Sequence, residues 1–152
     1  MFSKFRIPLL FALGAAGVYG LIYQDLVSRA KESYLEGEKY MRWFDHPQEK
    51  KAYFDADFEQ KKQALDKKRV EKKLSESEYS AALENLEFDR TFRVEESSLK
   101  YAYQWYKDAY QLFTPPESKW SRQAKEKASV ALGMWKEELT RQNVPFEEFM
   151  FE

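Results

Sequence analysis

The stretch IPLLFALGAAGVYGLIY, residues 7–23, decides how the rest of this chain is read. It holds no charged residue, and the uncharged run closes only at Asp25. At about 1.5 Å of rise per residue it makes a helix of roughly 26 Å, enough to cross a slightly thinned bilayer core. The sequence therefore predicts one membrane span over residues 7–24, carrying a helical domain of quite different composition. A secretory signal also starts basic and continues apolar. Here, however, Gly20-Leu-Ile-Tyr-Gln24 precedes the polar stretch with no Ala-x-Ala site, so the anchor is read as uncleaved.

Basic residues near its ends set the orientation of a span. Lys4 and Arg6 stand before this one with no acid; Arg29 and Lys31 follow it beside Asp25 and Glu32. The N-terminus is expected inside and the domain outside. That places the chain on the mitochondrial inner membrane facing the intermembrane space, or on a bacterial inner membrane facing the periplasm. Ala12, Ala16 and Gly20 recur every four residues, with Gly17 beside them. Small residues at that spacing let two helix backbones approach closely in lipid. They are read as a surface that packs against another subunit's helix, although Gly and Ala are common in membrane spans generally.

Composition bounds the remainder. The chain has 152 residues, a net charge of −1 and no cysteine. Balanced charge gives no global pull toward nucleic acid. Without cysteine there is no disulfide, thiolate metal site, iron–sulfur cluster or covalently attached haem. Ten Tyr, twelve Phe and four Trp exceed what a spare helical bundle needs, and such an excess is often spent at interfaces.

Beyond the anchor (residues 1–27) a juxtamembrane helix is expected over 28–46, weakened at Gly37 by about 1 kcal/mol relative to Ala. Asp45-His46-Pro47 breaks it, with Asp45 placed to cap the next helix. A soluble helical domain then fills 47–143. Its first helix, Gln48 to Leu74, ends in EQKKQALDKKRVEKK, residues 59–73, with seven Lys or Arg against three acids. Lacking interleaved aromatics, this segment reads as a projecting solvated arm; the competing reading is a strip for anionic lipid or nucleic acid. Ser75 and Glu78 fit a capping box for a helix running toward Phe113, with a break or bend at the polar patch of residues 93–98. Together these make a helical hairpin.

Thr114, Pro115 and Glu117 offer the cap, first position and capping box of the last helix. Trp120, Ala124, Ala128, Ala131, Leu132, Trp135 and Leu139 line its face, and Asn143 and Pro145 stop it. The predicted packing unit is this final pair, with Leu99, Ala102, Tyr106, Ala109, Trp120, Ala124, Leu132 and Trp135 at its core. Ala102, Tyr106 and Ala109 carry the small–aromatic–small spacing of a tetratricopeptide repeat's second helix. Pro115 falls where that repeat's terminal proline belongs, and Trp120 and Ala124 look like the opening of the next repeat. Residues 99–139 thus resemble a tetratricopeptide-like helix pair, which implies a stacked helical array and a peptide-binding groove. The pattern departs at Leu86, Asp89, Arg90, Arg93, Gln123 and Lys127, and an ordinary antiparallel helix pair reads equally well.

The tail, residues 144–152, carries Phe146, Phe149, Met150 and Phe151 past the helix stop. Free chain ends are usually polar and loose, so this one is expected to dock on a partner or tuck onto its own bundle, docking preferred. Catalytic chemistry is missing: His46 stands alone, no Ser sits in a nucleophile motif, and no Gly-rich loop lies outside the apolar stretch. No catalytic residue, metal site or cofactor is expected.

The predicted fold is all-α: one N-terminal transmembrane helix, then a helical hairpin or bundle with the repeat-like pair. The predicted function is a non-catalytic structural subunit packed within a large membrane complex. In overall build the chain resembles single-span supernumerary subunits of energy-transducing complexes such as the respiratory ones. Its partners would be other membrane-protein subunits and the lipid bilayer, with no nucleic acid or small-molecule substrate. The alternative is a membrane-tethered, tetratricopeptide-like adaptor that holds a peptide or client protein.

Overall fold

The computed structural model describes residues 6–151, with side chains from residue 13 onward. All its regular elements are helical. They are α1 (Arg6–Asp45), α2 (Pro47–Val70), α3 (Glu76–Glu95), α4 (Ser98–Gln111) and α5 (Lys119–Arg141), followed by a 3-10 turn at Glu148–Phe151. The chain is all-α, as its periodicity predicts.

The membrane anchor does not hold. Among the described residues no helix is long and apolar enough to cross a membrane. That finding overturns the transmembrane helix, the N-inside orientation and both membrane locations inferred from it. The physical reason is dilution. The apolar stretch is the opening of a single 40-residue helix, in which Gly14, Gly17, Tyr19, Gly20 and Tyr23 alternate with aliphatic side chains. Gln24, Asp25 and Arg29 then follow within two turns.

Local chemistry sets most helix ends. Pro47 takes the first position of α2, where its missing N–H costs nothing. Asp45 is not the cap: it is the last residue of α1, and His46 occupies the cap position without a side-chain hydrogen bond. Ser75 caps α3 as expected, accepting from the Glu78 N–H while the Glu78 carboxylate accepts from the Ser75 N–H. The start of α5 lies later than Thr114. Ser118 is its cap and forms a reciprocal box with Ser121, while Thr114–Pro115 and Pro115–Pro116, both cis, belong to the preceding turn. Asn143 ends α5 in the left-handed region (φ 55°), with Val144 N–H on the Leu139 carbonyl at 3.0 Å and Asn143 N–H on that of Thr140 at 3.1 Å. These two bonds close a Schellman motif.

The chain divides into two units. One comprises α1 up to Tyr40 together with the residues from Leu99 on. Small side chains make its helices fit: Ala30 and Ser33 on α1, Ala102 and Ala109 on α4, and Ala124, Ala128 and Ala131 on α5 are all buried. Their spacings of three, four and seven put each set on one helix face.

The second unit is Met41–Ser98, built on the α2–α3 hairpin. Trp43 packs on Tyr53 and Phe54 with centroids 5.1 and 5.6 Å apart. Tyr79 is buried and donates to Asp66 at 2.6 Å, and Arg90 donates to Asp55 at 2.6 Å. Lys50 is also buried, and its ammonium donates to the carbonyl of Glu96 at the end of α3. A cation there satisfies a terminal carbonyl that the helix itself leaves unpaired. Replacing it by an isosteric apolar chain strands that carbonyl. Lys50→Met is expected to cost about 2 kcal/mol of unfolding free energy in urea denaturation; a change within about 0.5 kcal/mol would show that the carbonyl finds water instead.

Candidate interaction surfaces

The predicted helix-pair core is brought together, but around a third helix. Leu99, Ala102, Tyr106, Ala109 and Ala124 are fully buried, and Trp120, Leu132 and Trp135 are partly so. Tyr106 packs against α1, its ring lying on Gly37 and its hydroxyl donating to Glu38 at 2.6 Å. Lys127 of α5 reaches the same carboxylate at 3.0 Å. Tyr34 lies between the aromatic rings of Tyr106 and Trp120, at 5.8 and 5.5 Å. Lys31 and Lys119 stand over the Trp120 ring at 5.6 and 4.4 Å.

Burial, then the hydrogen bond to Glu38 and its charge, push the Tyr106 hydroxyl far above its ordinary pKa of 10.0. Burial also opposes ionisation of Glu38, but hydrogen bonds from Tyr106 and Lys127 outweigh it and hold the carboxylate below 4.5. The fold therefore stabilises neutral Tyr106 and charged Glu38. Tyr106 contributes fully below pH 10 and loses that contribution as pH climbs past 10. The Glu38 contribution is present above pH 4.5 and lost as pH falls below it. Denaturation midpoints should fall on both sides of this window. Tyr106→Phe is expected to flatten the alkaline limb relative to the parent, and equal alkaline slopes would refute the assignment. Every group in this cluster is paired, and among the described residues no buried side-chain N or O lacks a hydrogen-bond partner. The cluster consequently reads as a clamp among three helices. Nor do the described residues hold a group of three His or carboxylate side chains able to bind a metal ion.

What remains is surface. On α1, Leu13, Val18, Tyr19, Leu21, Ile22 and Tyr23 are all exposed, and among the described residues no side chain comes within 4 Å of a Cβ built at Gly17 or Gly20. Ala16 is exposed beside them. The Ala12 side chain, the remaining member of the small-residue stripe, lies outside the described residues.

The tail is divided. Phe151 is buried, edge-on to Trp135 at 5.0 Å and to Phe146 at 5.5 Å. Its carbonyl accepts from the Tyr103 hydroxyl and from Lys107, and Lys136 holds Glu148 at 2.6 Å. The tail is thus anchored on its own α4–α5 pair, contrary to the preference for docking elsewhere. Phe149 and Met150, 63% and 58% exposed, face outward.

The basic segment 59–73 is partly neutralised by ion pairs. Lys61 pairs with Asp57 at 2.6 Å, Arg69 with Glu76 at 2.8 Å and Lys73 with Glu71 at 2.6 Å. The Arg69–Glu76 pair joins α2 to the start of α3 across the intervening turn, a partner that spacing within one helix cannot reveal. Phe88 and Phe92 on α3 form an exposed, stacked pair, offset around the helix from Tyr79, Leu83 and Leu86.

Scans against protein-family models, curated proteins and solved structures return no match for this chain.

Proposed function

We propose that the chain is a non-catalytic accessory subunit, held in a larger protein assembly by the exposed apolar part of α1. The observation that supports this is the concentration of large apolar side chains between Leu13 and Tyr23, all exposed among the described residues. Contiguous exposed apolar surface of this kind marks interaction sites. The glycines and Ala16 interleaved there let a second helix backbone come close. A second reading, an adaptor that holds a peptide, is favoured by the partly exposed Trp120 with two lysines over its ring. That arrangement suits a carboxylate-bearing, partly apolar ligand.

The test is native-size separation of the tagged chain with quantitative mass spectrometry of what co-migrates. A structural subunit runs in one large assembly at fixed stoichiometry. Leu21→Asp with Ile22→Asp should release it while its helicity and melting stay unchanged, since both residues are exposed. A parent chain that runs free, or an assembly indifferent to this double variant, would end the reading. Varied, substoichiometric companions lost on Trp120→Ala would favour the adaptor.

A further inference from the structure

A groove of about 530 Å³ runs between α2 and α3, floored by Ala64, Leu65, Ala82 and Leu86 and bordered by Lys61 and Lys68 on α2 and by Asn85 and Asp89 on α3. Beside it stands a ridge. Phe88 and Phe92, 71% and 47% exposed, stack with centroids 6.1 Å apart and planes within 17°. Groove and ridge adjoin along α3. Ala81, Asn85, Phe88 and Phe92 sit at i, i+4, i+7 and i+11 of α3, a single stripe at about 100° per residue, and Asn85 also lines the groove.

We propose that a second copy of this chain covers this face, each copy laying its Phe88–Phe92 ridge into the other's α2–α3 groove. A two-fold interface must be complementary to itself, and this face carries both the projection and the recess that receives it. The charges agree. Glu84 and Glu95 lie exposed on the edge of α3 beyond the ridge, while Lys61 and Lys68 form the α2 bank of the groove. Seating the ridge brings the acidic edge of one copy against the lysine bank of the other, twice over. Among the described residues Lys68, Glu84 and Glu95 take no ion-pair partner from their own chain. A foreign acidic helix would answer the lysines but leave the phenylalanine ridge uncovered. A face about 30 Å long and two helices wide buries on the order of 1,200 Å² over both copies, the lower bound for a stable specific contact.

Analytical ultracentrifugation of the full chain tests this in the Leu21→Asp, Ile22→Asp background, which separates it from contacts made by α1. A reversible dimer is expected. Phe88→Ser with Phe92→Ser should raise its dissociation constant by about 100-fold or more, with helicity and melting unchanged. Lys68→Glu and Glu84→Lys should each weaken the dimer about tenfold, and their combination should recover most of the loss. A monomer at about 100 μM would overturn the proposal. So would a dimer indifferent to the phenylalanine changes. A monomer that instead binds an added acidic amphipathic peptide, in a manner abolished by Lys61→Glu and Lys68→Glu, would assign the groove to a foreign helix and refute self-pairing.

Discussion

Gly37→Ala is expected to lower the stability of the unit formed by α1, α4 and α5 by about 2 kcal/mol, although alanine is the better helix former. A Cβ at position 37 would meet the Tyr106 ring at 2.5 Å from Cε1, 2.6 Å from Cδ1 and 2.9 Å from Cζ. The ring cannot retreat. It is fully buried, its hydroxyl is tied to Glu38, and Tyr34 stands 5.8 Å away. The backbones of α1 and α4 must separate instead, and forcing a methyl into a packed core costs about 1–3 kcal/mol or more. The propensity gain of about 1 kcal/mol offsets only part of that. At Gly133 a Cβ would meet nothing within 4 Å, so the same substitution there should stabilise by up to about 1 kcal/mol. Melting midpoints give the comparison directly, with Gly37→Ala roughly 6 °C below the parent. In a Tyr106→Ala background the penalty at position 37 should vanish, because the atoms it strikes are gone. If both glycine changes stabilised equally, the Tyr106 contact would be wrong.

Phe151→Ala should cost about 3 kcal/mol, the largest effect in the tail. The ring is 6% exposed and packs edge-on to both Trp135 and Phe146. Its removal deletes those contacts and loosens the residue whose carbonyl accepts from Tyr103 and Lys107. Phe149→Ala and Met150→Ala should each stay within about 0.5 kcal/mol of the parent. Urea denaturation separates the three. Comparable small effects at all three positions would mean that Phe151 is not part of the core.

The helix ends fixed by adjacent residues were legible. Pro47 and the Ser75–Glu78 box stand where spacing places them, because a cap needs only groups within one turn. The start of α5 was not. Thr114 and Ser118 both offer a hydroxyl, and only the folded chain shows which one meets the donors at the head of the helix. The α4–α5 core was readable from periodicity alone, since Leu99, Ala102, Tyr106 and Ala109 fall on one face. What Tyr106 packs against was not, because Gly37 lies far off in sequence and glycine carries no pattern. The apolar stretch misled for a different reason. Absence of charge was weighed as though it were hydrophobicity, while glycines and tyrosines lower the mean and polar residues follow within two turns. Of the candidate surfaces, the tail residues were identified as a group, but which one turns inward depends on Trp135 across the fold.

The exposed part of α1 has a consequence in hydrogen exchange. Between Leu13 and Gln24 every side chain of the helix is exposed, with no tertiary contact among the described residues at the glycines, and Gly14, Gly17 and Gly20 each lower its propensity by about 1 kcal/mol. Its amides are protected only by propagation from the turn where Ala30 and Ser33 seat against the rest of the unit. Covering this segment would slow exchange there while leaving the buried half of the same helix almost unchanged. The ratio of the two rates is therefore a label-free gauge of occupancy, written into one continuous helix with an internal reference a few turns away.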